Sequence, residues 1–394
     1  MISDKFDSLV ILSPFVWHGL LLNTHFMASY FSAKLPVLYV NPIPAWHPKD
    51  RNFSVAEMLS AYGPRPMRQV SSQLFVYTPK RLPLGRIGPI ATLNKQLFAR
   101  GTTACLTALG FKNSLICVSF FDGCLEQLNH LRGCPVLYYC IDRFIQPEET
   151  ELTRRAQVVL AVNRLIAEEK RRLNPHTYWL PTGVDVLSYG GATAQIEPDD
   201  MARIPHPRAG LTATFTHYVD YELLLYLART RSEVSFVLIG PVFRGPSGPD
   251  ERDRALIGEL KSHGNIHWLG MKRTNELPSY VKAFDAGIIP FKDRDFNRGR
   301  DPLKLYQYLA AGIPVVSTPL STFGSEPPGV SFAGTKEKFL AALDHALREA
   351  PNEALKIQIA EFVRSANWSN RFKVMEQVLQ DVFENAPEPS NPLT

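Results

Sequence analysis

The chain has 394 residues, 45% of them hydrophobic and 21% charged, with 43 Lys and Arg against 38 Asp and Glu. That length exceeds one typical core and calls for two domains of roughly 180 residues each. The longest apolar window, residues 9–22, is broken by Ser13, Pro14 and His18, too short for a bilayer span, and residues 1–7 lack the basic-then-apolar order of a signal peptide.

Charge and cysteine usage narrow the class further. Residues 1–184 hold 20 Lys and Arg against 12 Asp and Glu, whereas the remainder holds 23 against 26. A basic first half suits an anionic partner, either lipid headgroups or a phosphate-bearing acceptor; a solvated basic surface with no partner is the plain alternative. Cys105, Cys117, Cys124, Cys134 and Cys140 are odd in number and show no Cys-x-x-Cys spacing. They read as reduced core thiols of a cytoplasmic protein, with no metal or disulfide role. The basic residues are too dispersed for a nucleic-acid surface.

In chain order, residues 9–12, 37–40, 115–120, 136–141 and 158–162 read as buried strands, with helices at 88–109, 148–156 and 163–172. Residues 1–185 make a first domain, and 186–209, with Gly190-Gly191 and three prolines, read as a linker. A second alternating series fills 210–369: strands at 211–215, 234–240, 266–269 and 286–290, and helices at 221–229, 252–261, 277–284, 336–348 and 353–366. A last helix, 370–386, is expected to cross back to the first domain, and 387–394 to be a disordered tail. Alternating strands and helices predict an α/β fold, two doubly wound Rossmann-like domains facing one cleft, where ligands sit outside the strand carboxyl ends.

Residues 301–318 carry both helix signals. Asp301 is a good N-cap, Pro302 fits the first helical position, and Gly312 supplies a left-handed stop before a strand at 313–317. A helix start favours phosphate, and Lys304, one turn in, adds a full charge. An ordinary capped helix is the plain alternative.

The ordered set Val237-Leu238-Ile239-Gly240-Pro241, Asn265-Ile266-His267-Trp268-Leu269-Gly270, Ala283–Phe291 and Pro302–Pro319 resembles the nucleotide-sugar half of GT-B glycosyltransferases. Tyr138-Tyr139-Cys140-Ile141-Asp142 and Thr182-Gly183-Val184-Asp185 extend the likeness into the first half, closest to family-4-type enzymes of bacterial cell-surface and exopolysaccharide synthesis. The Leu-Lys-x-x-Gln run at 303–307 resembles the nucleotide-binding helix of xanthan-type glucuronosyltransferases.

The resemblance implies a nucleotide-sugar donor, a UDP-sugar, with no further cofactor and no metal. Its diphosphate and ribose would meet Pro302, Leu303, Lys304, Gln307 and Arg294, with Arg298 and Arg300 nearby, and its base would meet Gly240, Pro241, Leu269, Gly270 and Met271. It also implies a lipid-linked saccharide acceptor and peripheral contact with an anionic membrane. Residues 80–100, with Phe53, Met58, Leu59 and Tyr62, are the candidate contact; a core helix with a basic outer face fits the same pattern. Retaining members carry two Glu where this chain has Gly299 and Gln307, so an inverting displacement is expected. Asp142, after strand 136–141, is the preferred base, although an Asp there could instead cap a helix; His18 is the second candidate and Asp122 the third. His25 either packs or contacts acceptor. A nucleotide-sugar epimerase and an inactive nucleotide-sugar-binding protein are the alternatives.

Overall fold

The computed structural model describes residues 2–17, 21–42, 67–79, 88–191, 196–243, 245, 247–292, 297, 299–348 and 353–384. The chain forms two compact units. The first comprises Met1–Ala161, Ile166–Leu180 and Phe372–Thr394, the second Val162–Leu165 and Pro181–Arg371.

The first unit is built on β1 (Ser8–Leu12), β2 (Val37–Val40), β3 (Met67–Ser71), β4 (Leu74–Tyr77), β5 (Ser114–Val118), β6 (Val136–Cys140), β7 (Val158–Ala161) and β8 (Thr177–Trp179). They pair in the order β3-β4-β2-β1-β5-β6-β7-β8. Every pair is parallel except the β3–β4 hairpin at the edge. β1, β2, β5, β6 and β7 are buried along their whole length, as strands covered on both faces must be. The helices are α1 (Ile2–Lys5), α2 (Asn23–Phe31), α3 (Gly88–Leu109), α4 (Cys124–His130), α5 (Pro147–Arg155) and α6 (Arg164–Arg171). All five cysteines are free, four of them buried.

Among the described residues the second unit has six parallel strands in the order β11-β10-β9-β12-β13-β14. These are β9 (Arg208–Thr212), β10 (Ser235–Ile239), β11 (Ile266–Gly270), β12 (Ala286–Ile289), β13 (Val315–Ser317) and β14 (Val330–Phe332). Along β10, Phe236 and Leu238 join one core while Val237 and Ile239 join the other, the two-residue period of a doubly covered strand. The helices are α7 (Val186–Gly190), α8 (Asp199–Ala202), α9 (Tyr221–Thr230), α10 (Glu251–Ser262), α11 (Leu277–Lys282), α12 (Leu303–Ala310), α13 (Lys336–Arg348), α14 (Glu353–Ser365) and α15 (Trp368–Glu384).

Some boundaries differ from the sequence expectation. Residues 186–209 are not a bare linker: α7 and α8 lie there, and Tyr189, Met201 and Ile204 enter the second unit's core. β9 begins at Arg208 rather than 211, because the Arg208 side chain is buried and donates to the Ile204 carbonyl at 2.8 and 2.6 Å. The last helix starts at Trp368, two residues earlier than expected, and from Phe372 onward it belongs to the first unit. There Phe372 packs on Tyr30 and Phe31, and Phe383 on Phe6.

Candidate functional site

α12 is held on its sheet by a glycine pair and a tyrosine. Gly210 of β9 stands beside Gly287 of β12. A Cβ on Gly287 would lie 2.2 Å from the Tyr308 ring, and one on Gly210 2.1 Å from the Phe284 ring. The Tyr308 hydroxyl accepts from the Thr212 N–H at 2.8 Å. Between β9 and β12 the strand order reverses, which is where ligands of doubly wound sheets collect. The helix ends as expected: Gly312 has φ +77°, and the N–H groups of Gly312 and Ile313 donate to the carbonyls of Leu309 and Tyr308.

Its start departs from expectation. Pro302, not Asp301, occupies the N-cap, and no side chain caps the helix. Asp301 is turned inward and 8% exposed, where its carboxylate accepts from the Thr182 N–H at 2.6 Å and the Tyr306 hydroxyl at 2.8 Å. The need to satisfy a buried carboxylate outweighs a cap worth about 1 kcal/mol. Burial raises its pKa to about 6, against the lowering pull of those hydrogen bonds and Arg371.

Three helices of this unit are closed by their own side chains: Asp185, Asp220 and Asp250 accept from the first-turn N–H groups of α7, α9 and α10, whereas α8 and α11, like α12, have no side-chain cap. α12 has neither a cap nor an acidic residue in its first turn. Among the described residues, therefore, no side chain accepts from its first N–H groups or offsets its dipole.

Lys304 adds to this field. It is half-buried, with Nζ 5.2 Å from the Phe291 ring centroid. No carboxylate lies within ion-pair distance of it among the described residues. Burial, then the like charge of Arg300, pulls its pKa down to about 7. The Arg300 guanidinium stacks 4.5 Å from the Tyr218 ring and 5.5 Å from that of Phe291. Gln307 lies one turn beyond Lys304 on the same face, half-buried, with its carboxamide unbonded among the described residues. Leu303, Lys304 and Gln307 thus come together at one helix start. Arg294 and Arg298 lie outside the described residues.

The expected base loops are tightly built. Gly240 has φ +133°, and a Cβ there would lie 1.8 Å from the Ala213 carbonyl oxygen, so only glycine fits. Its N–H donates to Gly270 O at 2.7 Å and its carbonyl accepts from Trp268 Nε1 at 3.1 Å. The Pro241 carbonyl accepts from Phe215 N–H at 2.9 Å. These groups are largely used in joining the loops after β9, β10 and β11. Gly270 has φ +69°, and Met271, 68% exposed, stands on the surface beside Leu269.

In the first unit, Asp142 follows β6, half-buried, and its backbone carbonyl accepts from Cys140 Sγ. It does not cap α5, whose N-cap is Gln146. The loop that carries it is anchored from beneath: Lys170, 5% exposed, pairs with the fully buried Glu149 and reaches the Phe144 carbonyl at 3.4 Å. Asp122 is exposed in the turn after β5. His25 packs in a cluster with Trp17 and Tyr39. Its Nδ1 accepts from Leu22 N–H at 3.0 Å and its Nε2 lies 3.0 Å from Val16 O, the pattern of a neutral ring. Burial lowers its pKa accordingly. His18 lies outside the described residues, as do Phe53, Met58, Leu59, Tyr62 and residues 80–87. Residues 88–100 open α3, where Asn94, Phe98 and Ala99 are buried, Leu93 is 41% exposed and Lys95 pairs with Glu126 at 3.1 Å. Among the described residues no helix is long and apolar enough to cross a membrane.

Sequence reasoning did not find the inward role of Asp301 or its partner Thr182. The signal was present in the run Pro181-Thr182-Gly183, but pairing across more than a hundred residues is invisible to local pattern.

Residues 218–349 match the family described as glycosyl transferases group 1. The chain is 28% identical over 159 residues to TuaH of Bacillus subtilis (strain 168), a protein assigned to teichuronic acid biosynthesis as a glycosyltransferase. That match covers 39% of this chain and 38% of the relative, so it spans about two fifths of the relative's length. Sucrose-phosphate synthase of Thermosynechococcus elongatus superposes with a TM-score of 0.71 at 14% identity, covering 96% of this chain and all (100%) of that one. HepE of Anabaena, solved with UDP and glucose, gives 0.64 at 13% identity over 97% of this chain and 100% of that one. The trehalose 6-phosphate synthase of Burkholderia multivorans gives 0.67 at 13% identity over 98% and 100%. The chain has the GT-B fold, and its match to the glycosyl transferases group 1 model is confined to residues 218–349 of the second unit.

Proposed function

We propose that the chain is a glycosyltransferase that moves a sugar from a UDP-sugar to a lipid-linked saccharide acceptor in cell-surface polysaccharide synthesis. The observation that carries this reading is the uncapped start of α12, with Lys304 beside it and Asp301 turned away. Such a start holds a diphosphate through N–H groups and one ammonium, and stabilises the charge that develops on the leaving UDP. In this reading Gln307 hydrogen-bonds the ribose, and the loops at Gly240–Pro241 and Leu269–Met271 border the base. HepE, solved with UDP and glucose, and TuaH, assigned to teichuronic acid synthesis, support the donor and product classes.

The displacement is inverting. Asp142 takes the proton of the acceptor hydroxyl as its oxygen attacks the anomeric carbon, and the bond from that carbon to the diphosphate oxygen breaks. Charge compensation comes from α12 and Lys304, so no metal is invoked. The basic first half contacts anionic lipid at the inner face of the membrane, which salt-sensitive binding to anionic vesicles would reveal.

UDP titration of Lys304→Ala tests the central claim. Loss of a charge-assisted contact should weaken UDP by ten- to a hundred-fold, about 1.5–3 kcal/mol. Unchanged affinity in a folded variant removes Lys304 from the site. New sugar nucleotide formed from donor alone would instead identify an epimerase.

A further inference from the structure

A cavity of about 640 Å³ opens in the second unit between the first turns of α9 and α13, under the loops that follow β12 and β13. Its size is that of a small-molecule site, roughly 300–1,000 Å³. None of the residues assigned above to the sugar nucleotide lines it. One ring connects the two places: Phe291 forms part of the cavity wall and also lies beside Lys304 and Arg300.

The chemistry of the wall differs from that of the α12 start. Lys292 is spent on Asp253 at 2.6 Å, and Glu222 is paired with Arg252. The carboxylate of Asp220 caps α9. The start of α13 is closed by Thr335, whose hydroxyl accepts from the Lys338 N–H at 3.3 Å. A phosphate, which is an anion and mainly an acceptor, would find a closed helix and the carboxylates of Asp220 and Glu222. Sugar hydroxyls both donate and accept, so they can add to Asp220, to Lys336 and to the hydroxyls of Thr318 and Thr335, which already accept from the Phe291 and Lys338 N–H groups. Half-buried Tyr226 and buried Phe291 add aromatic surface to the wall, which suits the polarised C–H groups of a pyranose. Lys336, whose side chain is 59% exposed, lies 5.0 Å from the Tyr226 ring and holds only an exposed ion pair with Glu337 at 4.0 Å.

We propose that this cavity is an accessory saccharide site, which takes a neutral mono- or disaccharide separately from the sugar nucleotide.

Gly334 gives a clean way to close it, since a Cβ there would meet only the Pro319 side chain at 4.0 Å. The full chain is titrated by calorimetry with glucose, maltose, cellobiose and inorganic phosphate. At least one neutral sugar should bind with a Kd of about 1 mM or tighter. Gly334→Phe should weaken that binding at least about tenfold and leave UDP affinity unchanged. Tyr226→Leu, a milder change, should weaken it in the same direction and decides the matter if Gly334→Phe does not fold. Sugar binding unaffected by these variants overturns the proposal. So does failure of every sugar in the panel, or phosphate binding that Gly334→Phe abolishes. Lys304→Ala should not alter sugar binding, which separates this site from the donor reading.

Discussion

Gly287 lies directly beside Gly210 across the β9–β12 pair, and the two missing side chains are replaced by the rings of Tyr308 and Phe284. The rings meet edge to face, with centroids 6.2 Å apart. The position of α12, and with it Lys304, therefore rests on two residues that have no side chain.

Gly287→Ala should destabilise the protein by about 1–3 kcal/mol, because a methyl group cannot share the space of the Tyr308 ring. Gly258→Ala is the control: it sits in α10 with nothing within 4 Å of a new Cβ, and should stabilise by about 0.5–1 kcal/mol. Urea unfolding of both variants measures the difference. An unaffected Gly287→Ala would show that Tyr308 is not fixed there.

UDP binding should draw a proton. The pKa of Lys304, pulled down to about 7 by burial and Arg300, leaves the ammonium partly deprotonated near neutral pH. A bound diphosphate favours the charged form and raises that pKa. Affinity should fall as pH rises above 7, and calorimetry near pH 7.5 in buffers of different ionisation enthalpy should show uptake. Lys304→Met should remove the uptake. Uptake that persists in that variant assigns the proton to another group.

Asp301 makes stability depend on pH in the opposite sense to most carboxylates. Its folded pKa of about 6 exceeds the 3.8 of an ordinary aspartate, so the folded chain binds more protons across that interval. Its contribution is fully present below the lower value and is lost as pH rises through about 6. Asp301→Asn can keep bonds to Thr182 and Tyr306 and should flatten the melting temperature between pH 4 and pH 6. An unchanged slope would assign the pH dependence elsewhere.

Asp142→Asn separates chemistry from donor binding. Loss of a general base costs about 10²–10⁴-fold in rate, whereas UDP affinity should stay constant because α12 is untouched. Single-turnover transfer and UDP titration on the same preparation check this. Near-normal transfer would return the role to His18.

The alternation of strands and helices was legible in the sequence because buried parallel strands are nearly continuous apolar runs, as in Val136–Cys140 and Val158–Ala161. Four strands escaped it, Leu74–Tyr77 among them as the partner of an edge hairpin. Thr177–Trp179 and Val330–Phe332 are three residues long, too short for any period to show. Met67–Ser71 is an exposed edge strand with no buried residue. At the site, the stop at Gly312 and the place of Lys304 were readable from local residue types. The fate of Asp301 was not, because its partner Thr182 is 119 residues away and a buried carboxylate looks, in sequence, like any cap.

The two units are unequal as pieces of chain. Apart from Val162–Leu165, the second is one continuous stretch, Pro181–Arg371, whereas the first recruits Phe372–Thr394 after that stretch is complete. Met375 and Leu379, like Phe372 and Phe383, are buried in the folded protein. Residues 1–180 expressed alone would expose the apolar faces that these four cover, at about 1.5–3 kcal/mol for each buried side chain. Ribosomal order adds to this asymmetry: the first unit is left without its last helix until the second has emerged. A separately supplied peptide of residues 368–384 should rescue the solubility of the isolated first unit, while residues 181–371 should need no such partner.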